Sequence, residues 1–173
     1  MRTLFSVGLL TLGSLASAEI VRIPGTNVYY SRSFDAMTDQ NQSRIFVTEV
    51  NDTAAETMMI FYCRSGRIDA FLDTKNVLLS DDQLDTGKGP NLMYRVDSQQ
   101  AKTIPTQGTL VDDEPDATAL AFDIARDDIV FAAFKNASSK IVMRVLRREA
   151  SSLDYTFSTR GFKDALRAVN NCQ

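Results

Sequence analysis

The chain has 173 residues, of which 44% are apolar and 24% charged, with a formal net charge of -3 and no histidine. A mildly acidic chain without a Lys/Arg-rich run is poorly suited to a phosphate backbone, which demands clustered positive charge, so no nucleic-acid partner is expected. The missing histidine removes the Ser-His-Asp triad, the Cys-His dyad, most catalytic zinc sites and histidine acid/base work near neutral pH.

Residues 1–18 read as a secretory signal peptide. Arg2 supplies positive charge, residues 4–15 are mostly apolar, and Ala16-Ser17-Ala18 places small residues before a cleavage point. That apolar run is shorter than the roughly 20 residues a membrane span needs, and no later stretch replaces it, so no transmembrane segment is expected in the mature chain. Residues 19–173 have the length of one β-rich domain around a single core. Loss of Arg2 leaves them one unit more acidic than the precursor.

Short runs of β-branched and aromatic residues recur between clusters of Gly, Pro, Asn, Asp and Ser, the pattern of an antiparallel β domain. Strands are predicted at 28–33, 44–50, 58–64 and 68–72, the last two joined by a tight hairpin at Ser65-Gly66-Arg67. In the second of these, Ile45, Val47 and Glu49 alternate with Phe46, Thr48 and Val50, so neither face is clearly polar. A loop around Gly87-Lys88-Gly89 leads to a fifth strand at 92–96. Segments 109–111 and 117–123 flank an acidic turn, Asp112-Asp113-Glu114-Pro115-Asp116, expected as a solvated hairpin tip. Helical spacing then appears at 127–135, with Ile129, Val130, Ala133 and Phe134 in register. Strands return at 140–147 and 153–158, and Phe162, Ala165, Leu166 and Val169 stripe a terminal helix preceded by Gly161. The expected fold is mainly β with α+β character: an antiparallel β-sandwich or open barrel with a short helix and a C-terminal helix.

Cys63 and Cys172 are the only cysteines. In an exported chain an even count reads most simply as a bridge, the alternative being two free thiols or a catalytic thiol. Asp81, Asp82 and Asp85 form one acidic group and Asp112, Asp113, Glu114 and Asp116 another. Both fall among turn residues, and neither follows the twelve-residue calcium-loop spacing. Gly87-Lys88-Gly89 lacks phosphate-loop spacing, and Ser138-Ser139-Lys140 reads as a connector rather than a serine with a lysine base. No catalytic residue, metal site or cofactor is therefore expected. Asn41, Asn51 and Asn136 head Asn-x-Ser/Thr triplets, which matter only in a eukaryotic secretory pathway.

Several stretches, in order, resemble one family. They are Ser33-Phe34-Asp35-Ala36-Met37-Thr38-Asp39 before the 44–50 strand, Phe61-Tyr62-Cys63-Arg64, Tyr94-Arg95-Val96-Asp97, and a close running from Phe157 and Gly161 to Cys172. Together they resemble the VasI/TagO-like family of periplasmic proteins associated with type VI secretion, over most of 30–172, although this chain lacks that family's tryptophans. The resemblance implies a Cys63–Cys172 bridge and an exported β domain, with no established catalytic residues. It singles out Asp35, Met37, Thr38, Asp39, Arg95 and Asp97 as a contact face or structural motif. Asp35, Thr38 and Asp39 are expected to cap a turn, while Arg95 and Asp97, two apart on a strand, are expected to share a face.

The functional expectation is a periplasmic or secreted non-enzymatic interaction or accessory module whose partner is an envelope or secretion-system protein. The alternatives are a small secreted hydrolase with two converging carboxylates, and a binder of a small apolar ligand within the sandwich.

Overall fold

Backbone hydrogen bonding sorts the strands into two antiparallel sheets. The structure is a computed structural model, and residues 19–64 and 66–173 are described. The expected signal peptide therefore lies outside the described residues. The larger sheet runs β1 (Ile20–Arg22), β2 (Val28–Ser31), β3 (Arg44–Thr48), β4 (Met58–Arg64) and β5 (Arg67–Asp73), then β9 (Glu114–Ala121) and β8 (Gln107–Val111). The smaller sheet has the order β11 (Leu153–Ser158), β10 (Lys140–Leu146), β6 (Asn91–Val96), β7 (Lys102–Ile104). Helices α1 (Asp81–Thr86), α2 (Ile124–Asn136) and α3 (Phe162–Ala168) complete the chain, with a 3-10 turn at Asn170–Cys172. The mainly β, sandwich-like expectation is met, and Cys63 is bonded to Cys172.

Strand register decides what is buried. Val28, Val47, Met59, Leu72 and Leu120 stand opposite one another across five strands, and all are inaccessible to solvent. This row faces the core, with α2 packed on β5 and α3 on β2 and β3. The smaller sheet presents Phe157 and Ile141, then Tyr155, Met143 and Tyr94, to the same core. Phe61 on β4 meets Phe134 of α2 and Phe162 of α3 edge-on, and Phe134 reaches Phe157 of β11.

Helix boundaries follow local capping chemistry. The sequence places the start of α2 at Asp127, yet it starts at Ile124, because the Asp123 carboxylate accepts the Arg126 backbone N–H and pairs with the Arg126 guanidinium. The short helix α1 stands where a loop is expected. Its Ser80-x-x-Gln83 start lets Gln83 Oε1 accept the Ser80 N–H at 3.1 Å, and Gly87 closes it with φ 67°. The acidic tip contracts to a two-residue turn at Asp112 and Asp113, both with positive φ, the geometry that matches strand twist. Glu114 to Asp116 belong to β9 instead. Gly161 enters α3 at φ 90°, and a Cβ there would lie 2.9 Å from Thr26 Cγ2, so only glycine fits.

One buried carboxylate is out of place in this core. Asp127 is 4% exposed, and its Oδ1 accepts the Ala70 N–H at 2.8 Å, pinning α2 to β5. Burial, joined by the charges of Asp69, Asp123 and Asp128, pushes its pKa up to about 6 against the favourable Ala70 bond. A carboxyl whose folded pKa exceeds its unfolded value near 3.9 stabilises the fold fully below about pH 4 and loses that contribution as pH rises through about 6. Relative to wild type, Asp127→Asn is therefore expected to gain about 1–2 kcal/mol above pH 7, less than the full shift because Asp127 borders an open cavity of about 360 Å³ shared with Asp69 and Asp128, and nothing near pH 4. Urea unfolding of both proteins at several pH values checks this, and parallel profiles would refute it.

Candidate functional site

Both faces of the larger sheet are apolar, but only one is covered. Opposite the core row, Tyr29, Phe46, Ile60, Phe71 and Ala121 align across the same five strands. All but the nearly buried Ile60 keep part of their surface in water. Below them the register sets Arg44 against Tyr62 and Tyr62 against Asp69, and the hairpin end pairs Arg64 with Arg67.

Two concavities lie on this face. One, of about 460 Å³, is walled by Arg44, Arg64, Arg67, Tyr62 and the Gln40–Asn41–Gln42 segment beside the disulfide. The other, of about 400 Å³, has Ile60 and Phe71 as floor and Leu110, Val111 and Asp116 of the β8–β9 hairpin as wall. Arg44, Tyr62 and Arg64 line both and form the ridge between them. A β-bulge after Gly108 bends the hairpin, which brings Thr109 and Leu110 to this groove. Leu110 is 67% exposed, and Thr109 Oγ1 is buried without a hydrogen-bond partner among the described residues.

The groove is electrically polarised. The guanidinium carbons of Arg44 and Arg64 sit 4.8 and 5.9 Å from the Tyr62 ring centre, and Arg64 also pairs with Asp69 at 3.0 Å. At the other end stand Asp73 and Asp116. Burial and then the neighbouring Asp116 charge raise the Asp73 pKa, while Asp116 is held by the Thr118 N–H and hydroxyl at 2.8 and 2.7 Å.

The residues singled out by sequence fall into two separate places. Asp35 Oδ1 accepts from the Met37 N–H, the Thr38 N–H and the Thr38 hydroxyl, all within 2.9 Å, and these bonds hold its carboxyl below the usual range. Asp39 adopts φ 55° as the chain turns back, and the loop closes through the Phe34–Asn41 bridge. Met37 projects from this turn at 91% exposure, and the residues that follow, Gln40 to Gln42, wall the arginine concavity. Asn41 itself is buried, its Nδ2 donating to the Val169 and Gln173 carbonyls, so it is no glycan acceptor.

Arg95 and Asp97 belong to the smaller sheet, and the expectation that they share a strand face is corrected. β6 ends at Val96 and Asp97 turns to φ 49°, so the two-residue alternation does not reach it. Its carboxylate accepts the Lys140, Ser138 and Ser139 N–H groups at 2.8 to 3.0 Å, which lowers its pKa and fixes the α2–β10 connector. Arg95 is exposed beside the β6–β10 pair. Among the described residues no group of three or more His, Cys, Asp or Glu side chains converges to hold a metal.

No protein-family model, curated protein or solved structure matches this chain. Sequence reading missed Arg44, Arg67, Phe71, Leu110 and the Asp73–Asp116 pair as site residues. The one signal that bears on them is the 44–50 strand, in which neither face is clearly polar, where a half-solvated strand would show one polar face.

Proposed function

We propose that this chain is an exported, non-enzymatic interaction module that docks an envelope protein on the outer face of its larger sheet. The observation that carries the reading is the row of Tyr29, Phe46, Ile60 and Phe71, which continues into the groove walled by Leu110 and Val111. A contiguous apolar patch with a polar rim marks an interaction surface. The signal-peptide pattern and the resemblance to type VI secretion-associated periplasmic proteins support an envelope setting. The buried disulfide suits an oxidising compartment, and among the described residues no helix is long and apolar enough to cross a membrane.

A photo-cross-linking residue at Leu110 or Val111 is expected to give one discrete protein adduct in the envelope fraction. The same residue at Lys163, on exposed surface of α3, gives none. Equal labelling from both positions, or none from the groove, would overturn the reading. Cleavage of peptidoglycan fragments that is lost in Asp73→Asn would instead assign the groove to hydrolysis by its carboxylate pair.

A further inference from the structure

We infer that the arginine concavity beside Tyr62 is a carboxylate clamp, and that the docked partner inserts an extended segment with acidic residues at one end and apolar ones beside them. This rests on the docking reading above and specifies the partner's chemistry.

Arg64, Arg126, Arg144, Arg148 and Arg167 each have an aspartate partner, whereas Arg22, Arg32 and Arg147 donate to backbone carbonyls. Arg95 and Arg160 have no acidic partner among the described residues, so what distinguishes the next two is their convergence. Arg44 and Arg67 have no acidic partner among the described residues, although both line one concavity with Arg64. Arg44 lies over the Tyr62 ring at 4.8 Å and donates no side-chain hydrogen bond among the described residues, so its N–H fork is open to a carboxylate in two-point contact. Three guanidinium groups and no carboxylate line this concavity, the nearest acids being Asp69, paired with Arg64, and Asp35, which accepts from Gln42, so the concavity is locally positive in a chain whose net charge is -3. An acidic segment is drawn to that local field even though the molecule as a whole repels it.

The neighbouring groove sets the rest of the ligand. Across the ridge of Arg44, Tyr62 and Arg64, the floor of Ile60 and Phe71 accepts apolar side chains. Farther on, Asp73 and Asp116 disfavour a second acid and favour hydrogen-bond donors or a cation. The groove therefore reads direction: acid at the β4–β5 hairpin, apolar side chains in the middle, donors toward the start of β9.

The test is fluorescence anisotropy with a labelled peptide, acetyl-Lys-Ser-Leu-Phe-Glu-Glu-amide, on the oxidised mature chain. Its counterpart with lysines in place of the glutamates, and phosphatidylglycerol vesicles, serve as the other probes. Arg44→Gln/Arg67→Gln is expected to weaken peptide binding about 10- to 100-fold, since hydrogen bonds to charged groups are being removed. The substitutions are on exposed side chains, so the melting temperature should hold. Arg44→Glu/Arg67→Glu is expected to reverse the preference toward the lysine peptide, which a merely structural role would not do. No binding of the acidic peptide, an unchanged affinity in the glutamine variant, or binding of vesicles alone overturns the clamp. A cross-linked adduct at Leu110 that survives Arg44→Gln/Arg67→Gln sinks the clamp and leaves the docking reading standing. Absence of that adduct in the native chain sinks the docking reading itself.

Discussion

Phe61→Ala is expected to lower the unfolding free energy by about 3–5 kcal/mol, the range for deleting a buried phenylalanine. The ring is wholly inaccessible and lies 5.0 Å from Phe134, 5.1 Å from Phe162 and 6.2 Å from Phe131, each edge-on. Such pairs add roughly 0.5–1.5 kcal/mol each beyond the area they bury. Phe61 thus joins a central strand to both α2 and α3, and Phe134 passes the contact to Phe157 of the smaller sheet. Against a total stability of about 5–15 kcal/mol, the loss leaves the domain marginal. Urea unfolding followed by circular dichroism measures it, and Phe61→Leu, which keeps most of the volume, provides a folded comparison. Phe71, at a partly exposed site on the opposite face of the sheet, is the control and should cost far less as alanine. Equal costs at the two positions would mean that the covered face has been misassigned.

That comparison also shows where sequence stops informing. Strand positions were legible because β-branched runs and turn residues act locally, and most observed strands overlap the predicted ones. The elements missed are short and depend on tertiary partners. β1 and β7 have three residues each and only pair at sheet edges, and α1 has six, nucleated by Ser80 and Gln83 rather than by an apolar stripe. Alternation in 44–50 leaves neither face clearly polar and does not say which one the helices cover. Glu49 obscured the pattern further, because it is buried where the sheets meet, with its carboxylate accepting from the Asn51 and Thr156 N–H groups. The arginine concavity was illegible for a related reason. Arg44 reaches Arg64 and Arg67 only through the β3–β4–β5 register, which a linear reading does not fix. Asp97 illustrates the opposite case: two-residue alternation predicts a shared face with Arg95, but the strand ends one residue earlier, in a left-handed turn.

The second large effect concerns the bridge between Cys63 and Cys172, whose 109-residue separation would give roughly 4–5 kcal/mol in the chain-entropy picture, against a usual observed loss of about 2–5 kcal/mol. The Cys63→Ala/Cys172→Ala chain is expected to melt roughly 10 °C lower than the oxidised parent. The tail is also held noncovalently. Arg32 Nε donates to the Ala168 carbonyl at 2.6 Å, the Asn41 amide spans the Val169 and Gln173 carbonyls, and Phe162, Ala165, Leu166 and Val169 are buried. These contacts should keep α3 docked in the native state of the variant, so the loss arises mainly from the freed unfolded chain. Hydrogen exchange separates the two possibilities. Uniformly faster exchange across β4, α2 and α3 is expected, whereas selective exposure of Leu166 and Val169 would show that the bridge holds α3 in place. Cys63 also sits between Tyr62 and Arg64 on the strand that carries the clamp, so a frayed tail would loosen Asn41 and the wall it forms. Acidic-peptide affinity should therefore survive the double alanine substitution if the effect is on the unfolded chain, and fall with it if the bridge shapes the folded concavity.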